Sequence, residues 1–497
     1  MRDYTNPKYK MRIAEVSSEI IPYAKTGGLA DVTGTLPLYL EKAGHEVSMF
    51  MPLYKSVKES SIDTRLSDIT FDIPIGDREY TVNLWKSTHH GSKNIAIYFI
   101  QRDEYYDRDA LYGTESGDYQ DNSERFIFFS RAVIEAIKRL GLSIDIIHCH
   151  DWQTALIPIY LKTLFTHDKK LSSIKTVLTI HNLAYQGMFR QEEMKLTGLD
   201  MSLFNWKNLE HWGNVNFLKG GIVFADFVTT VSKKYAEEIR TVEFGCGLED
   251  VIKEYESKLY GIINGVDYSE WSPEIDNLIP SKYSVDDSSG KALCKKHLQK
   301  ILNLPQTEAP LLGMISRLAE QKGVDLLIVI MDELMERDLQ LVILGIGDEK
   351  YHQMLKDAVP KYNSKLSVNI MFDNKLAHEI EAGSDIFLMP SKYEPCGLNQ
   401  LYSLRYGTIP VVRETGGLAD TIIDANDENL KNGVATGYTM KGFFATEFLF
   451  AIDRALEMYK SKTQWNALIK NAMIQDWSWE KSANKYVALF KSVLGEK

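Results

Sequence analysis

The chain has 497 residues, of which 44% are hydrophobic and 25% charged, the composition of a globular protein long enough for two domains. Its 57 Lys and Arg residues against 68 Asp and Glu residues give a formal charge of −11. This excess of acid disfavours a general nucleic-acid or anionic-membrane surface, and an anionic substrate would need local cations.

No segment reaches the roughly 18–20 consecutive apolar residues of a membrane-spanning helix. The first ten residues are polar, lack the apolar core of a signal peptide, and are expected to form a dispensable tail. The four cysteines are scattered without a CxxC pair or metal-ligand spacing, which argues against a disulfide framework and suits a reducing cytosol. We therefore expect a cytoplasmic protein with no membrane or nucleic-acid partner; its oligomeric state stays open.

Apolar runs that alternate with amphipathic helices predict an α/β protein with doubly wound parallel sheets. A helix from about Gly28 to Ala43 follows the first strand. The predicted strands of the first half are MRIAEVSSEI, HEVSMFM, NIAIYFI, IDIIHCH, TVLTI, DFVTTVS and YGIIN. Those of the second half are LLGMIS, LQLVILG, VNIMF, DIFLMP and TIPVVR, and the restart at LLGMIS predicts a second Rossmann-like domain.

The join between the two domains is expected between Asn264 and about Pro280, in a stretch rich in turn formers and proline. We predict one domain over residues 1–265, a second over 266–475, and a C-terminal helix over 476–497. That aromatic-rich amphipathic helix either covers the edge of a core or crosses back to the first domain. The sequence alone does not separate these two possibilities.

Polar or glycine-rich segments follow six of the predicted strands. Because ligands of open parallel α/β sheets bind beyond the carboxyl ends of the strands, these segments predict one large cleft for a phosphate-bearing substrate. In chain order they are Lys25-Thr26-Gly27-Gly28, His181-Asn182, Asn264-Gly265-Val266-Asp267, Arg317 with Lys322, Glu394-Pro395-Cys396-Gly397, and Thr415-Gly416-Gly417.

Three cations lie in these segments. Gly27 and Gly28 open a helix whose N–H groups and dipole favour a phosphate, and Lys25 beside them is a ready phosphate partner. Arg317 and Lys322 suit a diphosphate clamp, since arginine gives forked contacts and lysine a mobile point charge. A plain tight turn and solvated surface charges are the alternatives. Neither GxGxxG nor a Walker loop is present, so this is not a standard dinucleotide or ATP cradle.

Glu394 is the candidate carboxylate. At the end of a strand it can accept hydrogen bonds from sugar hydroxyls or steady positive charge on an anomeric carbon; the alternative is a helix N-terminal Glu favoured by the dipole. Cys396 and Gly397 follow it, and Cys396 is also explained as a small packed residue. The segment Thr415-Gly416-Gly417 begins another helix, whose N–H groups suit a phosphate or hexose.

Two further positions have an open assignment. His181, with Asn182 beside it, caps a β-rich run and is either structural or part of the site. Phe372 ends the VNIMF segment and is either a core residue or a platform for a nucleobase.

Together these motifs resemble those of bacterial glycogen synthases and their starch synthase relatives. That resemblance implies a retaining glycosyltransferase of the GT-B type, with two Rossmann-like domains facing a deep cleft. KTGGLADV and EPCGLNQ are highly specific, whereas NGVD and SRL recur in wider glycosyltransferases. The matching segments run in family order from about residue 11 to 485: KTGGLADV, HCHDWQTALIP, HNLAYQGMF, NGVD, SRLAEQKG, PSKYEPCGLNQL, ETGGLADT and NGVATGY.

The resemblance implies an enzyme that elongates α-1,4-glucan (glycogen) chains with glucose from ADP-glucose. The implied catalytic residues are Glu394, Arg317, Lys322 and His181. Glu394 would bind the donor glucose. Arg317 and Lys322, together with Lys25, would neutralise the departing diphosphate. The other implied substrate contacts, with the N-terminal domain on the acceptor side, are Gly27, Gly28, Asp31, Asn182, Asn264, Phe372, Cys396, Gly397, Thr415, Gly416 and Gly417. Phe372 aligns with an aromatic adenine platform, and Tyr402 stands where many related enzymes carry a second Glu.

Two other functions stay open: the same fold with UDP-glucose or a small acceptor, and a catalytically silent glucan-binding protein. We expect no cofactor and no metal. Asp107-Arg108-Asp109 spells the D-x-D pattern by which another glycosyltransferase fold holds a cation, but it lies far in sequence from Glu394. The motifs offer no obvious second carboxylate as a nucleophile opposite Glu394, which favours front-face transfer with the leaving phosphate taking the acceptor proton.

Overall fold

The computed structural model describes residues 10–114 and 117–495, so the tail expected at residues 1–10 lies outside the described residues except for Lys10. The chain divides into two compact units, Met1–Gly265 with Trp479–Lys497, and Val266–Ser478. Each unit has its own buried apolar core. Within the described ranges, no helix is both long and apolar enough to cross a bilayer.

Nine strands of the first unit form one sheet, and its other described strands form a three-stranded sheet and a small hairpin. In chain order the strands are β1 (Arg12–Val16), β2 (Glu46–Pro52), β3 (Arg65–Ile75), β4 (Arg78–Thr88), β5 (Ala96–Gln101), β6 (Gly113–Thr114), β7 (Gly117–Asp118), β8 (Ile146–His150), β9 (Lys175–Ile180), β10 (Met188–Arg190), β11 (Glu210–His211), β12 (Asn214–Asn216), β13 (Phe227–Thr230) and β14 (Leu259–Gly261). The large sheet has the order β14-β13-β9-β8-β1-β2-β5-β4-β3.

The helices of the first unit flank this sheet because their apolar residues recur at helical spacing. In the first of them, Leu29, Val32, Leu36 and Leu40 are all buried. In chain order these helices are α1 (Gly28–Lys42), α2 (Lys55–Lys58), α3 (Asp103–Tyr106), α4 (Asn122–Arg139), α5 (Leu156–Lys162), α6 (Met194–Thr197), α7 (Phe217–Phe224), α8 (Lys233–Glu238) and α9 (Glu249–Glu254).

One edge of the large sheet differs from the parallel prediction. The hairpin of β3 and β4 is antiparallel, and β4 pairs antiparallel with β5. Its sequence signal is local: Phe71, Ile73 and Ile75 are buried while the residues between them are exposed, and Gly76 turns the chain at φ 57°. Alternation that ends in a Gly-Asp pair is typical of a two-residue hairpin, and the prediction from apolar runs missed it.

The second unit is a six-stranded sheet in which every neighbouring pair is parallel. Its strands are β15 (Leu311–Ile315), β16 (Gln340–Leu344), β17 (Leu366–Asn369), β18 (Ile386–Met389), β19 (Ile409–Arg413) and β20 (Tyr438–Met440). Its helices are α10 (Ser289–Ile301), α11 (Val324–Met335), α12 (Glu349–Ala358), α13 (Asn374–Gly383), α14 (Asn399–Tyr406), α15 (Gly416–Thr421), α16 (Asp427–Lys431), α17 (Ala445–Tyr459) and α18 (Lys462–Met473). The order β17-β16-β15-β18-β19-β20 is the doubly wound order of dinucleotide-binding folds.

The last helix, α19 (Trp479–Val493), belongs to the first unit although it follows the second in sequence. It contacts α1, and Ser482 Oγ donates a hydrogen bond to Ile263 O at 2.8 Å. The rings of Tyr486 and Phe490 each lie 5.4 Å from the imidazole of His148, measured between ring centroids. Of the two possibilities left open by the sequence, the structure therefore has the helix packed on the first unit.

Candidate active site

In each unit some of the predicted site residues follow strands at the point where the strand order reverses. In the second unit this switch lies between β15 and β18; Arg317 and Lys322 follow β15, and Glu394 follows β18. In the first unit it lies between β1 and β8; the Lys25 segment follows β1, and the HCHD motif ends β8. Ligands of such sheets bind in the crevice beyond the strand ends at this point.

A short ion pair is the centre of the second-unit site. Lys322 Nζ lies 2.6 Å from Glu394 Oε2, and the two side chains are only 20% and 8% exposed. Ser391 Oγ donates a second hydrogen bond to Glu394 Oε2 at 3.0 Å. A carboxylate and an ammonium group are thus held together in a partly desolvated position, where charges act more strongly than in water.

The loops that carry this pair are tied to one another. Arg317 donates to Gln321 Oε1 at 2.9 Å, and the Gln321 side chain donates to Tyr393 O at 3.3 Å. The Lys392 N–H donates to Gln321 O at 2.8 Å. The segment after β15 is therefore joined to the segment after β18 by two hydrogen bonds, both to residues just before Glu394.

Gly416 and Gly417 pack against the backbone of the Glu394 loop. A Cβ atom at Gly416 would collide with Glu394 O, and one at Gly417 with Cys396 O. Gly416 also has φ 45°, in the region that favours glycine. The Gly417 N–H donates to Glu394 O and Pro395 O at 3.1 Å each, so it supports the loop. Substrate binding by the segment Thr415-Gly416-Gly417 stays a prediction, with the Gly417 N–H already engaged within the chain.

The rest of the Glu394 loop is buried or partly buried, and a side chain holds it. Cys396 is 6% exposed, in keeping with a packed residue, and Gly397 has φ 72°. The Gln400 amide donates to Cys396 O and to Gly397 O, each at 3.0 Å. Contact of Cys396 and Gly397 with a substrate stays a prediction.

Phe372 lies on the surface. Strand β17 ends at Asn369, three residues earlier than the VNIMF segment suggested, and the Phe372 side chain is 79% exposed. The core interpretation of Phe372 is therefore wrong, because the residue falls in the loop before α13. An exposed aromatic ring can stack on a nucleobase, and this role stays a prediction.

The Lys25 segment of the first unit is organised by a carboxylate that the sequence did not single out. Glu19 accepts hydrogen bonds from Thr26 N at 2.5 Å, Thr26 Oγ1 at 2.6 Å, Gly27 N at 3.3 Å and Tyr112 OH at 2.7 Å. The Gly27 N–H, expected to face a phosphate, thus has a partner in the chain. Gly28 begins α1, whose first N–H groups have no partner within the helix and remain suited to an anion.

Lys25 itself pairs with another predicted site residue. Lys25 Nζ lies 2.7 Å from Asp31 Oδ1, and the side chains are 42% and 23% exposed. This pair is nearly as short as that of Lys322 and Glu394 but more open to solvent. The two site residues therefore lie together, and their contact with a substrate stays a prediction.

Asp151 anchors the loop that bears His181. Its φ of 54° is uncommon for a residue other than glycine, and its carboxylate accepts the His181 N–H at 2.7 Å. Burial raises the pKa of Asp151 to about 7, against the opposing effect of the N–H groups of His181 and Asn182. Asn182 caps its own turn by accepting from Ala184 N at 3.1 Å. The HCHD motif therefore shapes the His181 loop.

Behind His181 lies a buried group of titratable side chains. His150 Nδ1 is 3.0 Å from His181 Nε2, His150 Nε2 is 3.0 Å from Glu15 Oε2, and His148 Nδ1 is 3.1 Å from Glu15 Oε1. Ligand atoms of Glu15, His148 and His150 lie within 4.8 Å of one another, close enough to surround a metal ion. Each of these atoms is already hydrogen-bonded, so we assign the group to a hydrogen-bond network.

Asn264 and Tyr402 have contrasting surroundings. Asn264 is 4% exposed, and its buried Oδ1 has no hydrogen-bond partner among residues 10–114 and 117–495, which is uncommon for a buried acceptor. Tyr402 stacks on Trp271 with ring centroids 3.9 Å apart and an interplanar angle of 3°, which gives it a packing role.

The D-x-D pattern forms local ion pairs. Lys58 Nζ is 3.0 Å from Asp107, Lys55 Nζ is 2.6 Å from Asp109, and Arg108 is 2.5 Å from Asp121. Asp109 is 90% exposed. This arrangement is that of a solvated charged loop.

Two Rossmann-like units whose cations and carboxylate gather at the switch points of their sheets define a glycosyltransferase of the GT-B type. The starch synthase catalytic domain family matches residues 12–254, and glycosyl transferases group 1 matches residues 296–472. The glycogen synthase of Koribacter versatilis is 47% identical over 97% of this chain and 98% of its own length. That of Fervidobacterium nodosum is 48% identical over 97% and 98%.

A solved structure extends this relationship to three dimensions. The catalytic domain of Starch Synthase IV from Arabidopsis thaliana, bound to ADP and acarbose, has a TM-score of 0.90 at 32% identity, covering 98% of this chain and 100% of that one. The sucrose-phosphate synthase of Thermosynechococcus elongatus, at 18% identity and a TM-score of 0.61, shares the fold. The chain belongs to the glycogen synthase family, and the family and fold predicted from its motifs are confirmed.

Proposed function

We propose that this enzyme elongates α-1,4-glucan chains by transferring glucose from ADP-glucose with retention of the anomeric configuration. The observation that carries the proposal is the Lys322–Glu394 pair, 2.6 Å long, at the switch point of the second sheet. Relatives named glycogen synthase match nearly the whole chain, and the starch synthase structure holds ADP and acarbose. These names support a nucleotide-sugar donor and a glucan acceptor.

The donor is proposed to bind to the second unit. Arg317 and Lys322 contact the diphosphate, and Glu394 accepts hydrogen bonds from hydroxyls of the donor glucose. When the bond between the anomeric carbon and the diphosphate oxygen breaks, negative charge grows on the diphosphate and positive charge on the glucose. The two cations stabilise the first and the carboxylate the second, and preorganised charges of this kind lower the barrier.

Transfer on one face of the sugar needs only the donor, the acceptor and the side chains named above. The acceptor hydroxyl forms the new bond to the anomeric carbon on the side from which the diphosphate leaves, and its proton passes to a diphosphate oxygen. The products are ADP and a glucan one glucose longer. Because cations already offset the leaving charge, no metal and no cofactor has a part in this proposal.

The first unit is proposed to supply the acceptor side. Lys25 adds a third cation for phosphate, and Asp31, His181 and Asn264 contact the sugars. The buried, unpaired Oδ1 of Asn264 supports its assignment, since such an acceptor is costly unless a ligand satisfies it. The scattered cysteines support the cytoplasm as the compartment in which the enzyme acts.

An elongation assay tests the proposal. Purified enzyme is offered ADP-glucose or UDP-glucose with glycogen, and ADP-glucose with a small sugar acceptor; chain growth and the configuration of the new bond are measured. We expect efficient transfer from ADP-glucose to glycogen with an α-linkage. Preference for UDP-glucose or for the small acceptor would replace the substrate assignment. Absence of both transfer and donor hydrolysis would indicate a glucan-binding protein.

A further inference from the structure

A continuous line of hydrogen bonds connects Glu15, inside strand β1, to His181 beyond strand β9. Glu15 Oε2 is 3.0 Å from His150 Nε2, and His150 Nδ1 is 3.0 Å from His181 Nε2. Glu15 is 1% exposed and His150 is fully buried, whereas His181 is half-buried. An interior carboxylate thus acts on the one histidine of the line that a ligand can reach.

The direction of each hydrogen bond follows from the carboxylate. Burial alone would raise the pKa of Glu15, but His148 and His150 together lower it to about 2, so Glu15 is ionised and can only accept. His150 therefore carries its proton on Nε2. Burial and the neighbouring His148 lower the pKa of His150 to about 4, so this imidazole is neutral and its Nδ1 is an acceptor. His181 must then donate from Nε2.

The second branch of the network runs through His148. His148 Nδ1 donates to Glu15 Oε1, and His148 Nε2 lies 2.7 Å from Thr179 Oγ1. Thr179 Oγ1 in turn lies 2.5 Å from Thr229 Oγ1. Because Tyr486 and Phe490 of α19 pack against His148, this branch lies under an aromatic cover.

We propose that Glu15 and His150 are positioning residues that fix the tautomer of His181, with its proton on Nε2 and its lone pair on Nδ1. In a neutral imidazole one nitrogen carries the proton and the other is an acceptor, so the hydrogen bond made by one nitrogen fixes the role of the other. Burial and the two neighbouring imidazoles lower the pKa of His181 well below its usual range, so the ring stays neutral at physiological pH. His181 thus offers a ligand a hydrogen-bond acceptor.

The consequence for specificity rests on the proposed function. In that reaction His181 accepts a hydrogen bond from a sugar hydroxyl through Nδ1, and a hydroxyl can supply the proton whereas an ether oxygen at the same position cannot. Glu15 and His150 therefore influence sugar recognition without touching the sugar.

Neutron diffraction from deuterium-exchanged crystals of the full chain tests the tautomer directly. We expect deuterium on Nε2 of both His150 and His181, and none on Nδ1 of His181. Deuterium on Nδ1 of His181, or a doubly protonated His150, would overturn the proposal. A metal ion between Glu15, His148 and His150, seen by anomalous X-ray scattering from the same crystals, would overturn it as well.

Two substitutions of His150 separate positioning from simple stability. The amide of His150→Gln overlaps the position of Nε2 and keeps the contact to Glu15, whereas that of His150→Asn overlaps Nδ1 and keeps the contact to His181. We expect His150→Gln to be the more stable variant but to lose roughly 10- to 100-fold in kcat/KM for the donor, the range typical when an outer hydrogen-bond partner of a functional histidine is removed. His150→Asn should be less stable yet more active.

Activity that follows thermal stability in these two variants would contradict the positioning role. The tests also separate this inference from the proposed function. If the wild-type enzyme transfers no glucose, the assignment of the reaction fails, whereas the neutron result still decides the tautomer of His181.

Discussion

The ion pairs Lys322–Glu394 and Lys25–Asp31 are nearly equal in length, 2.6 and 2.7 Å, and both follow a strand at a switch point. They differ in exposure: the side chains are 20% and 8% exposed in the second unit, but 42% and 23% exposed in the first. Solvent screens an open pair and leaves a partly buried one strong. Ion pairs of nearly equal length therefore need not have equal functional weight. The less exposed pair of the second unit has the stronger electrostatic effect available for catalysis.

In the first unit, the strongly interacting titratable groups lie deeper in the interior. The buried carboxylate of Glu15 is satisfied by two histidines and is separated from any ligand by His150 and His181. In the second unit the carboxylate of Glu394 is itself at the end of the strand. The first unit thus orients a neutral imidazole, whereas the second presents charge directly.

The largest effect is expected from Glu394→Ala. Loss of a preorganised charge in the site should lower kcat about 100-fold or more, while ADP affinity stays within a few-fold. Steady-state kinetics and calorimetry with ADP measure the two quantities. Glu320→Ala is the matched control, because Glu320 forms an exposed pair with Lys392 in the same unit. Near-normal kcat in the Glu394 variant would remove this residue from the chemistry.

Replacing the less exposed Lys322 should lower donor kinetics more than replacing the more exposed Lys25. Lys322→Ala should lower kcat/KM for ADP-glucose roughly 10- to 100-fold, since it loses a charge-assisted phosphate contact, and Lys25→Ala should lower it less. Glycogen affinity should stay unchanged in both variants, and Lys392→Ala serves as the surface control. Unchanged donor kinetics would assign the lysine concerned to the solvated surface.

The buried histidine of the first unit should make stability depend on pH. The pKa of His150 is lowered to about 4 in the folded protein from an ordinary value of 6.5, so between these values the unfolded chain binds more protons. Stability contributed by this group is therefore present above pH 6.5 and lost as the pH falls toward 4.

Thermal unfolding from pH 7 to pH 4 measures this loss. The melting temperature should fall less steeply in His150→Gln than in the wild type, because the variant has no imidazole to protonate at this position. His89, also buried and with a pKa lowered to about 4, provides a control through His89→Gln, which should leave the His150 contribution in place. Equal slopes in the wild type and His150→Gln would exclude His150 as a source of acid sensitivity.

The smallest effect is expected at the D-x-D pattern. Asp107→Asn with Asp109→Asn should change transfer by less than about 2-fold, because both carboxylates form solvent-exposed ion pairs of little energetic weight. Exhaustive chelation should also leave transfer from ADP-glucose to glycogen intact. Activity that vanished with chelator and returned with magnesium or manganese would require a metal in the mechanism.

Strand periodicity predicted seven of the nine strands of the large first sheet and five of the six strands of the second, with β20 missed. It found the others because a buried parallel strand is a nearly continuous apolar run. The six site segments stay a prediction, which depends on polar residues at strand ends reaching a ligand. The motifs also predicted the family. The hairpin of β3 and β4 was missed, because buried and exposed residues alternate in an edge strand that faces solvent on one side, and such a strand is not an apolar run.

The network behind His181 could not be predicted from local spacing. Glu15 lies 133 residues from His148 and 135 from His150, and only the pairing of β1 with β8 brings them together. A sequence signal for it is Glu15, a charged residue between apolar neighbours inside β1. The exposure of Phe372 likewise could not be predicted, because it depends on where β17 ends. The position of α19 depends on contacts between distant parts of the chain.

Paired double-mutant cycles test the contrast between the two ion pairs most directly. Lys322→Ala and Glu394→Ala, singly and together, are compared with Lys25→Ala and Asp31→Ala, with kcat/KM for ADP-glucose as the measured quantity. We predict a coupling energy of about 1–3 kcal/mol for Lys322 and Glu394. For Lys25 and Asp31 we predict about 0–1 kcal/mol. Additive effects in the second unit, or a larger coupling energy in the first, would contradict the account.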